Sequence, residues 1–112
     1  NDYEIAQMER RLGRNLLDFV SSGAGIITTL GAVGVKYEDS STKLTVPGFE
    51  IKKICDPTGA GDAWRGGFIG SLIDGASIEE SLKMGNALAS FAVESSCTAN
   101  NRPTREEIRE RA

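Results

Sequence analysis

Residues 56–68 read DPTGAGDAWRGGF, which places four glycines and two aspartates in thirteen positions. A glycine inside a helix costs about 1 kcal/mol relative to alanine. Yet the stretch runs straight into a helical apolar stripe, with Trp64, Phe68 and Leu72 at i, i+4 and i+8 and Ile69 and Ile73 alongside. Just before it, FEIKKIC (49–55) alternates apolar and polar residues as a strand does. A strand ending near Cys55, a Gly-Ala-Gly turn and a helix starting near Asp62 would leave backbone N–H groups bare. The positive end of the helix dipole would lie at the same place, with no side chain in the way. Such a junction suits an anion, and phosphate above all.

The common phosphate motifs do not fit. A Walker loop needs Lys and then Ser or Thr after its last glycine, whereas Asp62 and Ala63 follow Gly61. The dinucleotide fingerprint would need a glycine where this chain has Trp64. A carboxylate at the lip of an anion hole serves another purpose. Asp62 can take a proton from a hydroxyl while the N–H groups stabilise charge on a transferring phosphoryl group. The plainer alternative is a turn with Asp62 as a first-turn acid favoured by the dipole.

Composition narrows the chemistry further. Histidine is absent from all 112 residues, which removes Ser-His-Asp and Cys-His nucleophile systems and most zinc sites. Proton transfer near neutral pH then falls to a carboxylate. The net charge of −3 gives no electrostatic reason to expect nucleic acid or an anionic membrane as partner. No apolar run approaches the ~20 residues that span a bilayer, and no signal-peptide pattern is present. Cys55 and Cys97, 42 positions apart, match neither a zinc site nor a disulfide scaffold, so buried free thiols are expected. The chain starts at Asn1 rather than Met, a hint that residue 1 is not the start of the gene product.

Elsewhere, Ile5, Met8, Leu12, Leu16, Leu17 and Phe19 recur near a 3.6 period, predicting helix over residues 1–20 divided at Gly13. GAGIITTLG (23–31) reads as a buried strand. GVKYEDSSTKLTVPG (34–48) reads as a hairpin turning at Glu38-Asp39-Ser40-Ser41. Ser77 with Glu80, and Thr104 with Glu107, are capping boxes that open two further helices. The first of these carries Ile78, Leu82, Ala89 and Val93. The order α, β, β-hairpin, β, α, α, α predicts an α/β layer fold.

The stretch DPTGAGDAWRGGF resembles the C-terminal signature of the ribokinase-like (PfkB) sugar and nucleoside kinases. Three other stretches resemble that family in order and spacing: NDYE (1–4), TLGAVG (29–34) and GNALASFAVE (85–94). The resemblance implies an α/β, ribokinase-like fold: the C-terminal part of a mainly parallel sheet flanked by helices, with a β-hairpin. It implies transfer of the γ-phosphoryl of ATP to a hydroxyl of a sugar or nucleoside. Residue by residue, it makes Asp62 the base and Gly59, Ala60 and Gly61 the anion hole. It gives Asn1 and Glu4 to magnesium and phosphate placement. Thr29, Gly31 and Gly34 would line the ATP site, and Asn86 would stand near the adenine.

Local alternatives stand beside these assignments. Asn1 and Glu4 would also make a helix N-cap pair. TLGAVG would serve as a tight turn before a hairpin, and Asn86 could be a solvated helix residue. Asp56, near a monovalent-cation site in some family members, reads slightly better as an Asp-Pro turn. Arg65 could reach phosphate but reads better as solvated. Trp64, where Phe or Tyr is common, is expected in the core.

The resemblance spans essentially all 112 residues but only the C-terminal part of the family's usual length. Residues 1–112 are thus expected to be an ATP-binding and catalytic segment without the N-terminal substrate-binding part and lid. The sheet would lack strands and expose apolar surface, unless the missing part or a second copy covers it. The wording also leans towards the adenosine-kinase-like, carbohydrate-kinase branch, and the expected compartment is the cytoplasm. A non-catalytic nucleotide- or phosphate-binding module, or a remnant of a longer kinase, is the other class of reading. In the family a glycine often stands where this chain has Cys97.

Overall fold

The computed structural model describes residues 1–95 and 102–112. Expectations about Cys97 and most of the stretch 95–104 therefore lie outside the described residues. The chain divides into two compact units, Asn1–Gly48 and Phe49–Ala112.

In the first unit, α1 (Asp2–Leu12) ends where Gly13 adopts the left-handed conformation at φ 62°, the division expected there. A short α2 (Leu17–Val20) follows. Three strands then form one antiparallel sheet in the order β1 (Ile26–Thr29), β2 (Gly34–Glu38), β3 (Lys43–Pro47). Ile26 pairs with Glu38 and Thr29 with Val35, while Gly34 pairs with Pro47 and Glu38 with Lys43. All four β1 residues are only half-buried. Val35 and Val46, paired across β2 and β3, are this unit's buried apolar side chains.

The hairpin turn is held by Asp39. Its Oδ1 accepts from the Ser41 and Thr42 amides at 2.9 and 2.7 Å, and its Oδ2 accepts from the Tyr37 hydroxyl at 2.6 Å. These hydrogen bonds, the Tyr37 one foremost, lower the Asp39 carboxyl to about 2.

The second unit opens with an irregular stretch, which corrects the strand expected over 49–55. An alternating pattern supplies the side chains of a strand, but the backbone also needs a neighbour to pair with. The neighbour here is a helix: the Cys55 N–H donates to the Val93 carbonyl at 3.4 Å. Cys55 is disulfide-bonded, and no cysteine is free among the described residues, which overturns the expectation of a free thiol. Spacing along the chain misses such a bond because it measures sequence separation. Cys55 is folded beside Val93, four residues before the only other cysteine in the sequence.

Helix α3 (Ala60–Ile73) packs against α4 (Ile78–Ser95), and α5 (Arg105–Arg111) closes on α4. Both expected capping boxes form. The Ser77 amide donates to Glu80 at 2.9 Å, and Thr104 and Glu107 bond reciprocally. Trp64, Phe68, Leu82, Ala87, Val93 and Ile108 form the core.

Two glycines permit the close approach of α3 and α4. A Cβ at Gly67 would lie 2.7 Å from the Met84 carbonyl oxygen, and one at Gly85 would lie 2.7 Å from the Trp64 ring. The expected single apolar face of α3 is in fact two. Trp64 and Phe68 turn inward, Leu72 at the far end of their stripe is 36% exposed, and Ile69 and Ile73 stay exposed, Ile73 at 79%. Helical residues one apart point about 100° apart, so Ile69 cannot share the face of Phe68 against α4.

The three-stranded sheet seen here is antiparallel; no parallel pairing occurs among the described residues. No helix among them is long and apolar enough to cross a membrane.

Candidate active site

The glycine stretch places its chemistry at the N-terminus of α3. Gly59 is the N-cap, in the left-handed conformation at φ 83°, with no side chain bonded to the helix end. That conformation strains any residue with a Cβ. Around both Gly59 and Gly61, a built Cβ would meet nothing within 4 Å. The Ala60 N–H donates to the Pro57 carbonyl at 3.1 Å and the Ala63 N–H to the Gly59 carbonyl at 3.0 Å. Among the described residues, no acceptor stands opposite the amides of Gly61 and Asp62. Open space, bare N–H groups and a helix N-terminus coincide, which is the arrangement that binds anions.

Asp62, on the first turn, keeps its side chain 85% exposed and pairs with Arg65 at 2.8 Å. An exposed pair of this kind is weak, so Asp62 is held loosely and can be drawn to another partner. Arg65 is thus tied to the carboxylate beside the bare amides rather than simply solvated. Asp56 makes the local turn, its Oδ1 accepting from the Thr58 amide at 2.8 Å. Hydrogen bonds from Thr58 hold its carboxyl below the usual range.

Asn86 belongs to the same unit but sits on the third turn of α4, with the helix starting at Ile78. It is buried, 6% exposed, and its Oδ1 accepts from the Trp64 indole N–H at 2.8 Å. That replaces the picture of a solvated helix residue. The Trp64 ring, expected in the core, lies there and stacks on Phe68, centroids 5.1 Å apart. The Trp64–Asn86 bond was not read from the sequence, though a signal existed: a buried indole N–H needs an acceptor.

The remaining candidates lie in the first unit. Asn1 caps α1: its Oδ1 accepts from the Glu4 amide at 2.8 Å, and the Glu4 carboxylate accepts from the Asn1 backbone. The pair therefore forms a capping box. No group of three His, Cys, Asp or Glu side chains able to hold a metal ion occurs among the described residues.

TLGAVG forms the end of β1, a 3-10 turn (Gly31–Val33) and the start of β2. Gly34, at φ 123°, is required by packing, since a Cβ there would crowd the Val46 carbonyl and lie 2.6 Å from the Gly48 nitrogen. Gly31 also has positive φ but faces open space. Thr29 pairs with Val35 across the sheet.

Bare amides at a helix N-terminus beside a carboxylate suit an anionic ligand, and comparison with known proteins gives the family. The family model for pfkB family carbohydrate kinase matches residues 1–105, and the chain belongs to that family. The nucleoside kinase of Methanocaldococcus jannaschii is 32% identical over 99% of this chain and 37% of its own length. Its crystal structure superposes with a TM-score of 0.88 at 31% identity, covering 97% of this chain and 36% of that one. The ribokinase of Bacillus subtilis is 36% identical over 78% of this chain and 29% of its length. A Burkholderia thailandensis nucleoside kinase in complex with ADP-inosine matches at 25% identity and TM-score 0.85, covering 99% of this chain and 35% of that one. The fold is thus the ribokinase-like α/β fold. The chain spans about a third of the length of the curated relatives it matches.

Proposed function

We propose that this chain is the ATP-binding and catalytic segment of a kinase that phosphorylates a hydroxyl of a sugar or nucleoside. The observation that carries the reading is the α3 N-terminus: bare amides at Gly61 and Asp62, open space at Gly59 and Gly61, and an exposed carboxylate at Asp62. As the acceptor oxygen attacks the γ-phosphorus of ATP, Asp62 takes the hydroxyl proton and ADP leaves. The amides at Gly59, Ala60 and Gly61 face the charge that builds on the phosphoryl oxygens, with Ala60 first giving up its bond to Pro57. Arg65 pairs with the Asp62 carboxylate on the first turn of α3 until the acceptor arrives.

By the family resemblance, Thr29, Gly31 and Gly34 of the first unit are candidates to line the ATP site, and Asn86 of the second is a candidate neighbour of the adenine. Mg2+ would accompany the phosphates, and the family resemblance gives its placement to Asn1 and Glu4. Their side chains close a helix cap on each other, so the proton and phosphoryl steps are written on Asp62 and the amides alone. A monovalent cation beside Asp56 would have to compete with the Thr58 hydrogen bonds. The substrate-binding part and lid would come from outside these residues and cover Ile69, Leu72 and Ile73, and the protein would work in the cytoplasm.

The test is phosphate transfer from ATP to a panel of ribose, adenosine and inosine by the intact protein. Asp62→Asn should lower kcat by roughly 100- to 10,000-fold, the span of a positioned general base. Unchanged turnover in that variant would remove Asp62 from the reaction.

A further inference from the structure

We infer that Trp64 and Asn86 together act as a pin, fixing where the catalytic end of α3 stands on α4, so that both are positioning residues for phosphoryl transfer. The inference rests on the proposed role of Asp62 and deepens it.

Upstream, the chain is tied to α4 at Cys55, whose N–H meets the Val93 carbonyl, but among the described residues no side chain fixes the first turn of α3 itself. The N-cap is a glycine without a side-chain bond, and the surroundings of Gly59 and Gly61 are empty. The Asp62–Arg65 pair lies within the same helix and cannot anchor it to anything else. Further along, α3 meets α4 through glycines. Gly67 lies against the Met84 carbonyl and the Gly85 Cα, and Gly85 lies under the Trp64 ring. Smooth glycine surfaces pack closely but specify position weakly, because dispersion contacts have little directionality.

The Trp64–Asn86 bond is different in kind. It is directional, buried and 2.8 Å long, and it joins the two helices across 22 positions of sequence. The indole nitrogen only donates, so the group facing it must be the Asn86 oxygen. Sliding α3 by one residue is a 1.5 Å shift, enough to break the bond and strand a buried donor. Trp64 is two residues from Asp62 on the same helix. A shift at Trp64 is therefore delivered almost whole to the carboxylate and the bare amides. A misplacement of about 1 Å can cost as much as ~100-fold in rate.

The experiment uses the intact protein and its best acceptor from a panel of ribose, adenosine and inosine. Trp64→Phe keeps an aromatic ring to stack on Phe68 but removes the donor. It should lower kcat roughly tenfold or more, with KM for ATP and acceptor within about twofold and the far-UV circular dichroism unchanged. Asn86→Leu should lower kcat as well. The double variant should be no worse than the poorer single one, since two halves of one pin cannot be lost twice. If Trp64→Phe fails to fold, replacing the indole by benzothiophene, same shape with sulfur for N–H, makes the same decision.

A donor-free variant with normal kcat, alongside a dead Asp62→Asn enzyme, overturns the pin and leaves the proposed chemistry standing. Multiplying losses in the double variant also overturn it, since Asn86 would then act on its own. Normal turnover in Asp62→Asn would overturn the proposed chemistry, and the pin would fall with it.

Discussion

The two units of this chain spend their glycines differently. In Asn1–Gly48, Gly34 is compelled by crowding: its positive φ and the nearness of the Val46 carbonyl and Gly48 leave no room for a Cβ. In Phe49–Ala112, Gly61 is not crowded at all, and its φ is not in the left-handed region. A glycine with a structural cause needs no function. One without a structural cause, placed where amides are bare, points to something that approaches from outside. The same contrast runs through burial. The first unit buries Val35 and Val46 and leaves α1 with no buried residue, whereas the second packs six apolar side chains between its helices.

The sharpest way to break this comparison is to add a methyl group at each kind of glycine. Gly34→Ala should destabilise the intact protein by about 3 kcal/mol or more, from overpacking plus a forbidden backbone angle, read by denaturant unfolding. Unchanged stability would mean that the hairpin base yields easily and Gly34 is free for another role. Next in size, Leu82→Ala, at a fully buried position in α4, should cost about 3 kcal/mol through the cavity it leaves. Val35→Ala, equally buried in the sheet, removes fewer atoms and should cost about 2 kcal/mol. A reversed order would show that the sheet unit, not the helical one, carries the stability.

Much of this was legible in sequence, and what was legible is instructive. The three helix starts at Asn1, Ser77 and Thr104 were readable because a cap is local chemistry, complete within four residues. The hairpin was readable for the same reason, its turn being closed by Asp39 on its own neighbours. The uncapped helix start at Gly59 was legible in the glycine stretch because the glycine and the helix it opens lie within a few residues of each other.

Residues 49–55 misled, since a strand exists only if another backbone pairs with it, and alternation cannot say whether one is there. The disulfide at Cys55 was illegible for a related cause, as was which residue would accept from the Trp64 indole. Each depends on which distant segment folds alongside. The exposed half of α3 was half-legible: the sequence shows Ile69 and Ile73 as apolar, but not that α4 covers only the side bearing Trp64 and Phe68.

Gly61→Ala separates stability from function within the second unit. Position 61 lies on the first turn of α3 with open space around it, so alanine should fit and raise stability by up to about 1 kcal/mol. The added methyl group would meanwhile stand beside the bare amides and obstruct an arriving phosphate. Turnover should fall at least roughly tenfold, in line with the loss of one stabilising donor, while the melting temperature holds or rises. Loss of both together would place Gly61 among the structurally compelled glycines, beside Gly34.

The smallest expected effect lies in the first unit and tests whether its turn is as self-contained as its hydrogen bonds suggest. The Asp39 carboxylate is stabilised chiefly by the Tyr37 hydroxyl and then by the Ser41 amide, which lower it from 3.8 to about 2. The same contact raises the Tyr37 phenol. A carboxyl lowered by folding adds stability that is fully present above its unfolded pKa and lost as pH falls towards the folded one. The hairpin should therefore lose stability between about pH 4 and pH 2, and Asp39→Asn should flatten that dependence. Both follow from carbon-detected NMR titration of the Asp39 carboxyl and from unfolding at pH 5 and pH 3. Because the group lies at the surface, salt and solvent weaken its interactions, and the change in stability should be modest. A midpoint near 4 would mean that the turn forms without its carboxylate network, leaving the register of β2 and β3 to Val35 and Val46 alone.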